Sequence, residues 1–408
     1  MTEPITSTTT GETYQPYTDV NPPPRPNLSY ANGAPMTERE IEAAEAEAKA
    51  ERESTPEPKD FGIAFPTNLP TPPFLHVQGV PNFRDIGGYQ CQPPPSASAS
   101  PDSRFYTLRR GILYRCAHPT HLTPEGAQYL TQTLNVHSIY DLRSAPEIIR
   151  LASTVANSPK GVYPLANPNT GCVDDYPGLT RHFAPVYQTE DYGPVALATK
   201  LAWYTAEHAH DEEAGFSYSE GFVKAYRDIA EHGIGAYTLM FRHLLEKPDA
   251  PFVFHCTAGK DRTGVFGALV LKLVGVPDET ICWEYALTEP GLGAWRKELI
   301  DRIAQTGIGS GGSRPSDEKV YTGDRPAVSR DEAARICGSR AGNMRAFLRT
   351  VLEGEYGGID GYLMGKCGFS EDEVRRLREV LTVQVEDPKD VVQMCGIEGW
   401  TPEGGVVD

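Results

Sequence analysis

Short apolar runs alternate along the chain with longer runs that have helical spacing. The short runs 137–142 and 252–255 are rich in aromatic and β-branched residues without alternation, which is typical of central strands covered on both faces. The longer runs predict helices over 219–230, 236–245, 264–274, 295–303 and 345–352. The sequence therefore predicts an α/β fold with a central, mostly parallel sheet flanked by helices and a helical C-terminal part.

The first 60 residues have a different character. They hold 5 basic and 12 acidic residues, a formal charge of −7, and several prolines. We interpret residues 1–60 as a flexible, disordered acidic tail. A capping box at Thr37–Glu40 predicts a solvated helix that extends to about Glu53. Residues 61–408 are then predicted to form one domain.

Three segments within that domain are predicted to be loop insertions. They lie near 91–104, 152–200 and 304–330 and are rich in Pro, Ser, Gly or Asn. The segment 152–200 is either a lid over a site or a surface decoration. Gly307–Gly312 has the spacing of a dinucleotide fingerprint, but it follows a helix rather than a strand, so we predict no nucleotide site there.

Charge and cysteine content exclude several classes of protein. The chain has 38 Lys and Arg against 55 Asp and Glu, a net charge of −17, which disfavours nucleic-acid binding through the phosphate backbone. No apolar run approaches the ~20 residues of a membrane helix, so no stable membrane insertion is expected. The start of the sequence lacks the pattern of a signal peptide, and a cytoplasmic location is predicted. The 8 cysteines form no Cys-x-x-Cys pair, so neither a disulfide framework nor a metal site is expected.

The chemistry is concentrated in one stretch, residues 252–264, which has the pattern of a strand, a tight loop and a helix. This order places backbone N–H groups and a helix N-terminus at the carboxyl end of a strand, where an anion binds. Phe254 and Asp261 stand where a nucleotide-binding phosphate loop would need Gly and Ser or Thr, which disfavours nucleotide hydrolysis.

A cysteine at the head of this loop and an arginine six residues later fit phosphoryl transfer instead. The loop amides, the helix dipole and nearby cations would stabilise a Cys256 thiolate, and the planar fork of Arg262 can bind two phosphoryl oxygens. The predicted phosphate-binding residues of the loop are Thr257, Ala258, Gly259, Lys260 and Thr263. Thr263 can also donate to the departing sulfur, and Gly259 permits a backbone conformation that a side chain would forbid.

This stretch resembles the catalytic loop of the cysteine-dependent protein tyrosine phosphatase superfamily, with His255, Cys256, Arg262 and Thr263 at the matching positions. More narrowly, the chain resembles the tyrosine and dual-specificity phosphatases that include bacterial secreted enzymes with phosphoinositide activity and their fungal relatives. Supporting segments are 82–89, 111–115, 141–147, 285–289 and 356–368. The resemblance implies a cysteine-phosphatase fold over roughly residues 75–385, and hence that 61–408 is a phosphatase domain.

The leaving group needs a general acid, and several carboxyl groups qualify. Asp261 lies inside the loop, and the resemblance implies that a loop aspartate serves this role. Asp141, at the end of a predicted strand, is the alternative general acid. Asp85 and a lid residue, Asp174 or Asp175, are further candidates. His255 is expected to order the loop through hydrogen bonds to backbone carbonyls.

These observations predict a phosphoric monoester hydrolase, a protein tyrosine phosphatase with dual specificity, that acts through a phosphocysteine intermediate without a cofactor. The expected partners are phosphorylated proteins, above all phosphotyrosine, or phosphoinositides. Lys260 beside Arg262 predicts a cationic pocket. Two alternatives stay open: a phosphoinositide phosphatase, and a module that binds phosphorylated partners without turnover.

Overall fold

The computed structural model describes most of the chain beyond residue 68. The described residues are 69–97, 105–174, 176–188, 202–204, 215–306 and 328–406, together with three short strands at 30–31, 34–35 and 209–211. The chain divides into two units, Met1–Asp60 and Phe61–Asp408. In the first unit, β1 (Tyr30–Ala31) and β2 (Ala34–Pro35) form an antiparallel pair. The predicted tail helix and most of the predicted insertion 304–330 lie outside the described residues.

The remaining strands belong to the second unit. They are β3 (Arg84–Asp85), β4 (Phe105–Leu108), β5 (Leu113–Cys116), β6 (Ser138–Asp141), β7 (Thr180–Phe183), β8 (Ala209–Asp211), β9 (Phe216–Tyr218), β10 (Phe252–His255), β11 (Thr382–Val385), β12 (Trp400–Thr401) and β13 (Gly405–Val406). Five of them form the central sheet in the order β3-β5-β10-β6-β7. The last four strands in this order run parallel, and only the edge strand β3 is antiparallel.

Helices surround this sheet and make up most of the C-terminal part. They are α1 (Pro124–Gln128), α2 (Ala145–Ala156), α3 (Glu220–His232), α4 (Ile234–Glu246), α5 (Asp261–Leu273), α6 (Asp278–Ala286), α7 (Thr288–Leu292), α8 (Ala294–Thr306), α9 (Arg330–Cys337), α10 (Ala341–Ala346), α11 (Gly358–Gly365) and α12 (Glu371–Leu381). The α/β class and the mostly parallel sheet predicted from the sequence are confirmed. None of the helices in the described residues is long and apolar enough to cross a membrane.

The two predicted strands are the innermost pair of the sheet. Strand β10 lies between β5 and β6, with His255 opposite Cys116 on one side and opposite Asp141 on the other. All four residues of β10 are buried, which explains why its sequence shows no polar alternation. Because parallel strands end at the same edge, the residues after Cys116, Asp141 and His255 lie together, and the site is built there.

Helix α5 follows β10 and is buried along nearly its whole length. It packs against α3, α6 and α11, and its side chains from Val265 to Leu271 are all buried. Burial of this much apolar surface, at about 25 cal/mol per Å², fixes the helix firmly in the core. The N-terminus of α5 is therefore held rigidly at the carboxyl end of β10.

Two regions differ from the sequence-based expectation in detail. Within 152–200, α2 continues to Ala156 and β7 adds an edge strand to the sheet. Strand β7 is half exposed, so it carries no apolar run that would reveal it. The run 345–352 is helical, but α10 ends at Ala346 and a π-helical turn, Phe347–Glu353, follows.

Candidate active site

The loop between β10 and α5 begins with Cys256, which directly follows the central strand. The Cys256 side chain is almost fully buried at 3% exposure. Gly259 has a φ of +66°, and a Cβ on it would lie only 2.1 Å from the Cys116 carbonyl oxygen. A side chain at position 259 would therefore be strained and would collide with β5, so the tight loop requires glycine.

The backbone carbonyl groups of the loop point away from the centre of the loop, because hydrogen-bond donors outside the loop or at its start bind them. The four bonds are His255 Nδ1 to Cys256 O at 2.9 Å, His118 N to Thr257 O at 3.0 Å, Asn82 Nδ2 to Ala258 O at 3.2 Å, and Arg115 Nη2 to Gly259 O at 2.7 Å. No acceptor within the described part of the chain takes the amides of 257–261. With their carbonyls bound outward, these N–H groups form an anion-binding cradle under the thiol.

Arg262 closes the cradle from the first turn of α5. Its guanidinium forms a bidentate pair with Glu147, with Nη1–Oε2 at 2.5 Å and Nη2–Oε1 at 2.8 Å. Tyr237 fixes the arginine backbone by donating to the Arg262 carbonyl at 2.8 Å. A phosphate has the same planar pair of acceptors as a carboxylate, so Glu147 occupies the fork in the way that a phosphoryl group would.

Glu147 is a site residue to which the sequence analysis gave no role. It lies in the first turn of α2, where it also accepts from the Ser144 backbone at 2.9 Å and from the Thr257 hydroxyl at 3.0 Å. Burial alone would raise the pKa of Glu147, but the Arg262 guanidinium and the Ser144 hydrogen bonds lower it to about 2. The sequence signal is the capping box of Ser144 and Glu147, which directly follows strand β6.

Lys260 does not line the cradle with its ammonium group. The side chain is 3% exposed, and Nζ donates to the carbonyls of Ile336 and Gly338 at the end of α9. It also lies 5.0 Å from the centre of the Phe222 ring. The ammonium group of Lys260 therefore points toward α9 and does not add the positive charge that we expected in the pocket. Lys260 can contribute to the loop only through its backbone amide.

Asp261 is the first residue of α5 and lies beside the cradle. Its side chain is 22% exposed, and Oδ1 lies 3.4 Å from Lys260 Nζ. The buried Oδ1 makes no hydrogen bond to any described residue. The carboxyl group thus lies on the side of the Lys260 ammonium group, which is turned toward α9, and no hydrogen bond to a described residue holds its Oδ1 there.

Asp141 is in the opposite situation. It is fully buried, and its carboxylate accepts from Arg143 Nε at 2.9 Å and from Nη2 at 2.7 Å. Arg181 Nη1 lies 3.5 Å away. Burial would raise the pKa of Asp141, but the charge and hydrogen bonds of Arg143 hold it far below the usual value. A carboxylate held so firmly in its ionised form favours a structural role over proton donation.

The other candidate acids have structural partners or fall outside the described residues. Asp85 accepts from the amides of Gly87 and Gly111, both at 2.8 Å, and so fixes two turns. Asp174 pairs with Arg181 at 2.5 Å. Asp175 is outside the described residues.

Two further residues of the loop region, His255 and Thr263, are buried. His255 Nδ1 donates to the Cys256 carbonyl, and burial lowers the pKa of His255 to about 4, so the ring is neutral near pH 7. The Thr263 side chain is fully buried, and its hydroxyl has no hydrogen-bond partner among the described residues. The role expected of Thr263, donation to the departing sulfur, therefore stays a prediction.

A cysteine at the end of a central parallel strand, an amide cradle and an arginine in the first turn of the next helix define a cysteine-headed phosphate loop. This is the class of site found in cysteine-dependent phosphatases, as the sequence motif implied. A family model described as the tyrosine phosphatase family matches residues 75–383. The chain belongs to this family.

Two relatives have informative names. A tyrosine-protein phosphatase of Nostoc commune is 33% identical over 162 residues, which are 40% of this chain and 49% of that protein. The chain therefore spans about half the length of this relative. The triple specificity protein phosphatase PtpB of Mycobacterium tuberculosis is 27% identical over 315 residues, 75% of this chain and 98% of that protein. The second match includes nearly the whole relative.

Proposed function

We propose that this protein hydrolyses phosphoric monoesters through a phosphocysteine intermediate on Cys256. The observation that carries the proposal is the outward-bound loop, whose amides are left for an anion directly between the thiol and Arg262. Such a cradle matches the equatorial oxygens of a phosphoryl group in the transition state. It holds these donors in place before the substrate arrives, so little reorganisation is needed.

The reaction has two steps, in which one carboxyl group serves twice. The Cys256 thiolate attacks phosphorus, the bond to the ester oxygen breaks, and Asp261 gives its proton to that oxygen. The Asp261 carboxylate then takes a proton from water, which attacks phosphorus, and the P–S bond breaks. Thr263 donates to the departing sulfur, and Arg262 exchanges Glu147 for two phosphoryl oxygens.

We infer that phosphotyrosine is the principal substrate, with dual specificity toward other phosphorylated side chains. The names of the two relatives support this choice, since one is called a tyrosine-protein phosphatase and the other a triple specificity protein phosphatase. The alternative is a phosphoinositide phosphatase. Its multiply phosphorylated substrate would be bound more tightly by a second cation in the pocket. The engagement of Lys260 Nζ with two backbone carbonyls weighs against it.

Hydrolysis of p-nitrophenyl phosphate tests the proposal. We expect turnover by the wild-type protein and a loss of at least ~10⁴-fold in Cys256→Ser, because the hydroxyl is a far weaker nucleophile than a thiolate. Cys282→Ser is the matched control, since Cys282 is also buried but lies in α6. A wild-type protein that binds inorganic phosphate without turnover would instead be the phosphate-binding module. Phosphotyrosine, phosphoserine and phosphoinositide substrates then rank the specificity.

A further inference from the structure

A buried cluster of charge lies directly behind the catalytic loop. Arg84 of β3 and Arg115 of β5 are both 0% exposed and share one carboxylate, Glu284 of α6, which is 1% exposed. Arg84 Nε lies 2.7 Å from Oε1, and Arg115 Nη1 lies 2.6 Å from Oε2. We call these three residues the rear triad.

The rear triad holds the loop backbone at two consecutive peptides. The second amino group of Arg115 donates to the Gly259 carbonyl at 2.7 Å. Arg84 Nη1 donates to the side chain of Asn82, whose amide in turn holds the Ala258 carbonyl at 3.2 Å. Rotation of either peptide would point a carbonyl at the phosphate, so the triad determines which way the amides face.

The rear triad also leaves one positive charge unbalanced. In the described part of the site, four other cations near the loop each have a carboxylate partner. These pairs are Arg262 with Glu147, Arg143 with Asp141, Arg181 with Asp174, and Lys260 with Asp261. His255 is neutral near pH 7. The triad has two guanidinium groups for one carboxylate, and its charge is shielded from water because all three side chains are buried.

We propose that Arg115 is a positioning residue that orients the amides of the loop and, with Arg84, stabilises the Cys256 thiolate and a bound phosphate from behind. The proposal rests on the proposed function and adds a second source of positive charge to Arg262. Burial, followed by repulsion from Arg115, lowers the pKa of Arg84 to about 10, in keeping with two cations that share one carboxylate.

The test measures the Cys256 thiol directly, in a Cys395→Ser background that removes the exposed cysteine. The pH dependence of alkylation by iodoacetamide at Cys256 gives the thiol pKa, and titration with inorganic phosphate gives its affinity. For Arg115→Met we expect a thiol pKa at least one unit higher and phosphate affinity at least ~10-fold weaker. Arg115→Lys keeps the charge and should give a smaller pKa shift than Arg115→Met.

The direction in which the thiol pKa changes in Glu284→Gln distinguishes the electrostatic role from general damage to the loop. It removes the only carboxylate of the triad, so the thiol pKa should fall, whereas general damage to the loop would raise it in both variants. Arg378→Met is the control, because Arg378 holds the Leu273 carbonyl at the other end of α5 and should leave both readouts unchanged. If Arg115→Met does not fold, Glu284→Gln and Arg115→Lys decide the question.

An unchanged or raised thiol pKa in folded Glu284→Gln would overturn the electrostatic role. Wild-type phosphate affinity in folded Arg115→Met would overturn the positioning role. Neither readout needs turnover, so a failure of the proposed hydrolase activity would be seen separately, as a wild-type protein that binds phosphate and forms no product.

Discussion

The loop from Cys256 to Arg262 lies between two arginine–carboxylate clusters of different kinds. In front, Arg262 and Glu147 are 13% and 20% exposed and form a bidentate pair. Behind, Arg84, Arg115 and Glu284 are almost completely buried, and Arg115 also holds the loop backbone. In the proposed reaction a phosphate displaces Glu147 from the front pair, whereas the rear triad stays buried behind the loop. The front cluster is thus suited to exchange partners during turnover, and the rear cluster to stay fixed.

The largest effect is expected from the front arginine. Arg262→Lys should lower kcat/KM for p-nitrophenyl phosphate by ~100- to 1,000-fold, because an ammonium group cannot replace the planar fork that binds two phosphoryl oxygens. Steady-state kinetics check this, with Arg378→Lys as the control far from the loop. A loss below about tenfold would mean that charge alone suffices at this position.

Substitutions of Asp261 and Asp141 should differ in how strongly the reaction rate depends on the leaving group of the substrate. For Asp261→Asn we expect kcat to fall ~100-fold or more on a phenyl phosphate with a poor leaving group, and little on one with a good leaving group, because only the poor one needs protonation. Rates are measured over a series of substituted phenyl phosphates.

Asp141→Asn should behave differently in the same series. Its carboxylate is held by Arg143 and Arg181, so we expect a loss of stability and a rate change that is equal for all leaving groups. A steep leaving-group dependence in Asp141→Asn, with none in Asp261→Asn, would assign the acid to Asp141 instead.

A smaller effect is expected on the stability of the fold at low pH, to which the Arg262–Glu147 pair contributes. The pKa of Glu147 is lowered from 4.5 to about 2, so its ionised form stabilises the folded state above pH 4.5. This contribution is lost as the pH falls from 4.5 toward 2 and amounts to about 3 kcal/mol.

Urea unfolding at pH 6.5 and pH 3 measures that contribution. Glu147→Gln should reduce the difference in the free energy of unfolding between the two pH values, whereas the exposed Glu125→Gln should not. An undiminished pH dependence in Glu147→Gln would show that the Arg262–Glu147 pair does not stabilise the folded state.

The difference between the clusters also explains what the sequence could predict. Cys256, Arg262 and the loop between them are contiguous, so strand, turn and helix patterns predict their arrangement directly. Strands β6 and β10 were predicted for the same reason, from short runs of local sequence. Arg84, Arg115 and Glu147 lie in the segments that carry the family resemblance. The resemblance did not predict which residues they contact.

Partners distant in sequence were beyond prediction. Glu147 reaches Arg262 across 115 residues and Arg115 reaches Glu284 across 169. Only tertiary packing brings these partners together. The prediction that the Lys260 ammonium group lines the pocket was wrong for a similar reason. The carbonyl groups that bind Lys260 Nζ, at the end of α9, lie more than 70 residues away in the sequence. Local patterns predict the loop, and tertiary packing decides what surrounds it.

The central claim is that phosphate passes through the sulfur of Cys256. The most direct measurement is acid quenching of Asp261→Asn during turnover of p-nitrophenyl phosphate, followed by mass spectrometry of the peptide that carries residue 256. Since this variant lacks the group that activates water, the intermediate should accumulate, and we expect one phosphoryl group on Cys256. Turnover with no phosphorylated Cys256, or with the phosphoryl group on another residue, would contradict the account.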